Sequence, residues 1–116
     1  MTGIPDWIEG LPGAVTVCDL HGVIVYMNPR AQETFARYGG RELIGQSLFG
    51  CHGEPASEKI RQMLQSGTGN AYTIEKGGQK KMIWQTPWFV DGVCAGLVEL
   101  SLVIPGEMPH FVRDAG

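Results

Sequence analysis

The pair Asp91-Gly92 separates two long apolar runs, and no other feature constrains the fold of this chain as strongly. The run before it reads KMIWQTPWFV (residues 81–90), and the run after it reads VCAGLVELSLVI (residues 93–104). Both are rich in β-branched and aromatic residues, which favour strands. A two-residue Asp-Gly connection fits the twist of an antiparallel hairpin. We therefore predict that the two runs pair as neighbouring antiparallel strands.

Three further strands follow from similar patterns. Residues 14–19 (AVTVCD) and 23–28 (VIVYMN) are joined by Leu-His-Gly and predict a first hairpin. Residues 71–76 (AYTIEK) precede a Gly-Gly turn and predict the strand before the Asp91-Gly92 hairpin. Because hairpins connect the strands within each group, we expect an α+β fold with an antiparallel sheet and helices on one side.

Helix signals lie at the N-terminus and between the two strand groups. Residues 4–13 (IPDWIEGLPG) predict a short amphipathic helix ended by Pro-Gly. Asn28-Pro29 is a typical helix start, because Asn caps with its side-chain oxygen and Pro is tolerated in the first turn. That helix is predicted to continue to Gly39-Gly40. Ser57 is a second N-cap candidate, and the helix that it starts is predicted to end at Gly67.

Composition and charge restrict the class of protein. A chain of 116 residues with 43% apolar residues is one globular domain. The net charge of −3 provides no basic surface, so we expect no direct nucleic-acid partner. The three cysteines are widely spaced and form no CxxC pattern, and no apolar run reaches membrane-spanning length. We expect a reduced cytoplasmic protein that does not bind a membrane.

Several short motifs stand in a fixed order along the chain. An Asp-x-x-Gly turn (Asp19 to Gly22) leads into an apolar strand that ends in Asn28, and a helix follows. A Leu-Ile-Gly-x-x-Leu turn (Leu43 to Leu48) and the Asp91-Gly92 hairpin come later. In this order the motifs resemble the PAS sensory domain over about residues 11 to 103. The resemblance implies a five-stranded antiparallel sheet in the order 2-1-5-4-3, with short helices on one face that enclose a pocket.

The resemblance also implies a function. PAS domains are sensors or interaction modules rather than enzymes, and they bind haem, flavin, small metabolites or no ligand. We expect a sensory domain that binds a small molecule or cofactor in its pocket and signals through an unidentified partner protein. The alternatives are a cofactor-free interaction and dimerisation module, and a haem-based gas or redox sensor. What the domain senses does not follow from the fold.

The adjacent pair Cys51-His52 is the candidate for haem or thiol chemistry. The resemblance makes His52 a haem-iron ligand candidate, because proximal ligands in haem-binding PAS domains come from the helical region, and Met63 is a candidate sixth ligand. The covalent attachment pattern CxxCH is absent from the sequence. Catalysis is disfavoured, because adjacent residues in an extended segment point in opposite directions and cannot pair as nucleophile and base. The alternative is that the segment around Cys51-His52 is a loop whose only role is to cover the pocket.

The strand of residues 81–90 is apolar on both faces. Alternation places Met82, Trp84, Thr86 and Trp88 on one face, and leaves open which face lines the pocket. Trp84 or Trp88 could stack on a non-covalent flavin, although aromatic residues in strands more often fill a core. The predicted pocket residues besides His52 are Phe35, Ile60, Met63, Leu64, Trp84, Trp88 and Leu97.

Three segments make up the predicted organisation. Residues 1–13 form the lead-in helix, residues 14–104 the PAS-like domain, and residues 105–116 a C-terminal tail. Prolines and a glycine make a continuous helix in the tail implausible, so we expect a stand-alone PAS protein or a piece of a larger sensor. Since the outer sheet face is also apolar, we expect the N-terminal helix or a second subunit to cover it, and we predict a homodimer.

Overall fold

A computed structural model describes residues 3–51 and 54–115 of the chain. Its centre is a five-stranded antiparallel sheet in the order β2-β1-β5-β4-β3. This confirms the predicted fold class and strand order. The strands are β1 (Ala14–Asp19), β2 (Ile24–Met27), β3 (Asn70–Lys76), β4 (Gln79–Val90) and β5 (Val93–Ile104).

Two-residue turns set the register of the three later strands. Asp91 and Gly92 have φ values of 49° and 79°, and the flanking Val90 and Val93 pair across the turn. The Gly77–Gly78 turn between β3 and β4 likewise has positive φ at both positions. Positive φ at both central residues matches the twist of the strands that such a turn connects. The hairpins predicted at both sites are therefore present.

Short helices occupy the chain between the two strand groups and before β1. They are α1 (Asp6–Glu9), α2 (Pro29–Thr34), α3 (Leu48–Cys51) and α4 (Glu54–Ser66), with 3₁₀ turns at Ala36–Tyr38 and Gly40–Leu43. The helix after Asn28 is shorter than predicted, because it passes into 3₁₀ turns before Gly39. The prediction that Ser57 caps the next helix is wrong: α4 already begins at Glu54, with Pro55 tolerated in its first turn.

Asn28 connects three elements of the fold. Its side-chain oxygen accepts hydrogen bonds from the backbone N–H of Val15 (3.0 Å) and of Ala31 (2.9 Å). Its amide donates to the carbonyl oxygens of Gly13 (2.9 Å) and Ile8 (3.1 Å). The residue is fully buried, and these four bonds use its whole hydrogen-bonding capacity. Asn28 thus caps α2, as predicted, and also holds β1 and the end of α1 in place.

Two apolar clusters lie between the sheet and the helices. One packs the start of β1 and both ends of β2 against α2 and the Gly40–Leu43 turn, through Ala14, Ile24, Met27, Ala31 and Leu43. The other packs β1 and β5 against α4, through Cys18, Ile60, Met63 and Leu97. The helices contribute to both clusters but leave a space between them, which is the cavity described next.

Candidate functional site

A cavity of about 510 Å³ lies between the helix-facing side of the sheet and the helices. The sheet forms one wall with residues of β1, β4 and β5, which include Thr16, Gln85, Leu97 and Glu99. The opposite wall comes from the segments between β2 and β3, with the apolar side chains Phe35, Leu43, Leu48 and Ile60. Cavities of this size that are mostly apolar and carry a few polar groups are typical small-molecule sites.

A row of polar residues crosses the sheet beneath the cavity. Asn70, Gln85, Glu99 and Thr16 lie directly opposite one another in four neighbouring strands, from β3 through β4 and β5 to β1. Directly opposite residues share one face of a sheet. Gln85 Nε2 donates to Glu99 Oε2 over 2.9 Å, and Asn70 Nδ2 donates to Gln85 Oε1 over 3.3 Å. We call these four residues the polar row.

The hydrogen bonds of the polar row run in one direction. An ionised carboxylate only accepts hydrogen bonds, so Gln85 must turn its amide nitrogen toward Glu99. The amide oxygen of Gln85 then faces Asn70, which must donate in turn. The chain of hydrogen bonds therefore ends at an acceptor, the carboxylate of Glu99, which lines the cavity.

The electrostatic character of the cavity is set by Glu99. Among the described residues, those that line the cavity include no Lys, Arg or His. Burial raises the pKa of the Tyr72 phenol, and the negative charge of Glu99 raises it further. Tyr72 lies on the same face of the sheet, two positions along β3 from Asn70. The field of Glu99 thus reaches its neighbours on this face.

A second, smaller recess of about 270 Å³ adjoins the cavity. Gln85, Glu99 and Ile60 line both spaces, so the hydrogen-bonded pair of side chains lies between them. The recess is also lined by Asn70 and Lys59.

The structure distributes the predicted pocket residues over several places. Phe35, Ile60 and Leu97 line the cavity. Met63 is buried and lines the smaller recess, while Leu64 is half-buried and packs against the cluster around Met63. His52, the candidate haem ligand, lies outside the described residues.

Trp84 and Trp88 lie on the face of the sheet opposite the cavity, which corrects the expectation that they line it. Both alternate with Gln85 and Pro87, which face the helices across from Glu99 and Leu97. Trp84 is 47% exposed. The indole of Trp88 crosses Gly96 and donates from Nε1 to the carbonyl oxygen of Cys18 over 3.1 Å. Both indoles are therefore on the wrong side of the sheet to stack on a ligand in the cavity.

The polar row was missed at the sequence level, although one signal for it exists. Glu99 stands between Val98 and Leu100 in an apolar run of the central strand. A charged residue in the centre of a sheet is rarely buried without a partner. Its alignment with Gln85 and Thr16 depends on the register of two strand pairs and could not be read from β5 by itself.

The outer face of the sheet is only partly covered. The helix α1 is joined to the β1–β2 end, where the Tyr26 hydroxyl donates to Glu9 Oε2 over 2.5 Å. Toward β4 the face carries Met82, Trp84 and Leu100, which are half-buried or exposed.

The described residues include no helix that is long and apolar enough to cross a membrane. Nor do residues 3–51 and 54–115 place three or more His, Cys, Asp or Glu side chains together as a metal site.

Comparison with known proteins gives a consistent family assignment. A family model described as the PAS fold matches residues 8–104. No curated protein sequence matches the chain. Because the solved structures described next are all less than 25% identical to the chain, they support its fold but not a particular ligand, partner or role.

Three solved structures illustrate the likeness. The first is the sensor region of a sensor histidine kinase, with 24% identity and a TM-score of 0.60, covering 78% of this chain and 38% of that one. The Aer2 receptor of Vibrio cholerae, described as a dual PAS-heme oxygen sensor, has 17% identity and a TM-score of 0.60, covering 84% and 99%. The PAS domain of Bordetella pertussis BvgS has 18% identity and a TM-score of 0.59, covering 84% and 81%.

Proposed function

The chain belongs to the PAS family of sensory domains, and we propose that it binds a small molecule in the cavity and relays binding to a partner protein. The observation that carries the proposal is the cavity itself. Its volume of about 510 Å³ falls in the range of small-molecule sites, and its lining combines an apolar wall with the polar row. PAS domains are typically sensory rather than catalytic, so the cavity is a regulatory site.

Relay requires that the ligand favour one arrangement of the domain over another. A molecule in the cavity would contact the central strand β5 through Leu97 and Glu99, and the helix α4 through Ile60. It would also compete with Gln85 for the carboxylate of Glu99, and Gln85 is bonded in turn to Asn70 on the edge strand β3. Binding is thereby linked to the sheet whose other face is open to a partner.

The open part of the outer sheet face is the proposed relay surface. Trp84 and its apolar neighbours on β4 and β5 offer a second copy of the chain a hydrophobic face, and a homodimer is the arrangement that would cover it. A second, signalling partner would then respond to changes in this pairing.

The test is a search for retained ligands in the protein purified under mild conditions, by native mass spectrometry and absorption spectroscopy. We expect a bound small molecule that is lost in Thr16→Phe, because the new ring fills the part of the cavity beside Glu99. Thr68→Phe is the matched control, since it makes the same change in an exposed turn. Protein that is folded, ligand-free and unable to bind any compound at the cavity would instead favour the cofactor-free interaction module.

The same spectrum tests the haem alternative, which the Aer2 receptor illustrates in a related fold. A Soret band that disappears in His52→Ala would favour a haem sensor. A retained flavin spectrum would favour the flavin alternative. A colourless protein that takes up neither cofactor would exclude both and leave the small-molecule proposal in place.

A further inference from the structure

The carboxylate of Glu99 has unused acceptor capacity. An ionised carboxylate has about four lone-pair positions for hydrogen bonds. Within the described part of the chain, Glu99 accepts one side-chain hydrogen bond, from Gln85 to Oε2, and forms no ion pair. Its other oxygen, Oε1, is available on a half-buried side chain that lines the cavity.

The surroundings of Glu99 do not neutralise its charge. Thr16 lies directly opposite on β1, and Gln85 lies opposite on β4, and both are neutral. Gln46 is a further polar residue in the cavity lining, and it too is neutral. Lys59 lines the smaller recess, which Glu99 lines as well, but among the described residues it forms no ion pair with Glu99, and it does not line the cavity. The cavity therefore has an acceptor end with a net negative charge.

Apart from the hydroxyl of Tyr38 and the thiol of Cys18, the remaining lining is apolar. Phe35, Leu43 and Ile60 on the helical side face Leu97 on the sheet side. Such walls favour an aliphatic or aromatic body by burying its surface. Apolar walls also lower the local dielectric constant, which strengthens a charged hydrogen bond at the polar end.

We propose that the cavity selects small molecules with a cationic N–H donor, such as an ammonium or amidinium group, joined to an apolar body. The donor would bond to Glu99 Oε1 while the body fills the space between Phe35, Ile60 and Leu97. Charge-assisted hydrogen bonds are about twice as strong as neutral ones. A carboxylate or phosphate at the same position would meet Glu99 without any counter-charge from the described lining. This inference rests on the proposed small-molecule function and deepens it by naming the ligand class.

The test uses matched sets of arylalkyl amines, alcohols and carboxylates that share the same ring and chain length. Binding is followed by ¹H–¹⁵N correlation spectra, with shifts at the amides of Thr16 and Leu97 as the marker of cavity occupancy. We expect the amines to bind at least about tenfold more tightly than the alcohols, and the carboxylates to bind most weakly.

Two variants test whether the preference for amines comes from Glu99. Glu99→Gln keeps an acceptor for Gln85 but removes the charge, and it should reduce the amine preference by roughly tenfold while leaving the alcohols unchanged. Glu107→Gln makes the same chemical change in the exposed tail and should leave the order of binding intact.

Each other outcome has a distinct meaning. Carboxylates or alcohols that bind in the cavity as tightly as the amines would overturn the inference and leave the proposed function standing. An amine preference that persists in Glu99→Gln would also overturn it, since the selectivity would then come from elsewhere. If no member of the three sets shifts the cavity amides, the inference is overturned, and the search for retained ligands then decides the proposed small-molecule function separately.

Discussion

The side-chain oxygen of Asn28 accepts a hydrogen bond from the backbone N–H of Val15 over 3.0 Å, and this bond joins the start of α2 to the first strand. The same oxygen caps α2, and the amide of Asn28 reaches back to the segment that precedes β1. One buried side chain thus determines how α2 and β1 approach each other, and with them one end of the cavity.

Removal of the Asn28 side chain should strongly destabilise the folded protein. Asn28→Ala leaves two backbone N–H groups and two carbonyl groups without their partner, and unpaired buried groups cost about 1–3 kcal/mol each where water does not reach them. We expect the free energy of unfolding to fall by about 3 kcal/mol. Chemical denaturation measures it. Asn70→Ala, a half-buried residue with a single long bond to Gln85, should cost about 1 kcal/mol or less.

Gly96 should tolerate no side chain. Its φ is 156°, and a Cβ built on it would overlap the carbonyl oxygen of Cys18 and press on Trp88 Nε1. Because the obstructing atom belongs to the backbone of β1, Gly96→Ala should destabilise the protein by about 3 kcal/mol or more. Gly106→Ala, where a Cβ meets nothing within 4 Å, is the control and should leave the melting temperature within a degree or two. Equal melting temperatures for the two variants would contradict the close approach.

Ionisation of Tyr26 should lower the stability of the folded protein at alkaline pH. Burial, the hydrogen bond to Glu9 and the charge of Glu9 together raise the pKa of the Tyr26 phenol to about 12, from an ordinary value of 10.0. A raised pKa means that the folded state holds the proton more tightly than the unfolded state does. The stabilisation is complete below pH 10 and is lost as pH rises toward 12. Denaturation curves across this range should show a smaller decline for Tyr26→Phe than for the wild type, whereas Tyr38→Phe should follow the wild type.

Cys18 and Cys94 should differ in reactivity. Cys18 is 2% exposed, and burial raises the pKa of its thiol, so little thiolate is present and reagents reach it slowly. Cys94 is half-buried near the end of the β4–β5 hairpin. In a Cys51→Ser background, iodoacetamide should therefore label Cys94 first, as peptide mass spectrometry would show. Labelling of Cys18 at an equal rate in folded protein would contradict the protection of its thiol by burial.

Trp84 should be central to self-association. Its side chain is 47% exposed on the open part of the outer sheet face. Trp84→Glu places a charge where the proposed homodimer buries an apolar surface, so sedimentation should show a dimer dissociation constant at least about a hundredfold higher, or a monomer. Val93→Glu, an exposed residue beside the Asp91–Gly92 turn, is the control. A wild-type protein that is already monomeric would contradict the proposal that a second copy of the chain covers the outer sheet face.

Local signals at turns and caps were sufficient to predict most of the fold. Asp91-Gly92 and Gly77-Gly78 determine their hairpins through backbone preferences that belong to the residues themselves. Asn28-Pro29 determines a helix start in the same way, whereas the strand order 2-1-5-4-3 was implied by the resemblance to the PAS family. The prediction was wrong at Ser57, because α4 begins at Glu54, three residues before it.

The site depended on contacts that no local signal encodes. The strand β4 is apolar on both faces, so alternation could not show that Gln85 faces the helices and that Trp84 and Trp88 do not. That choice is made by the pairing of β4 with β5, which sets Gln85 against Glu99, and of β5 with β1, which sets Glu99 against Thr16. The sequence by itself determined the strands, the turns and the cap at Asn28. Only the tertiary structure decided that a carboxylate and an amide meet beneath a cavity, because their distance depends on register between strands far apart in the chain.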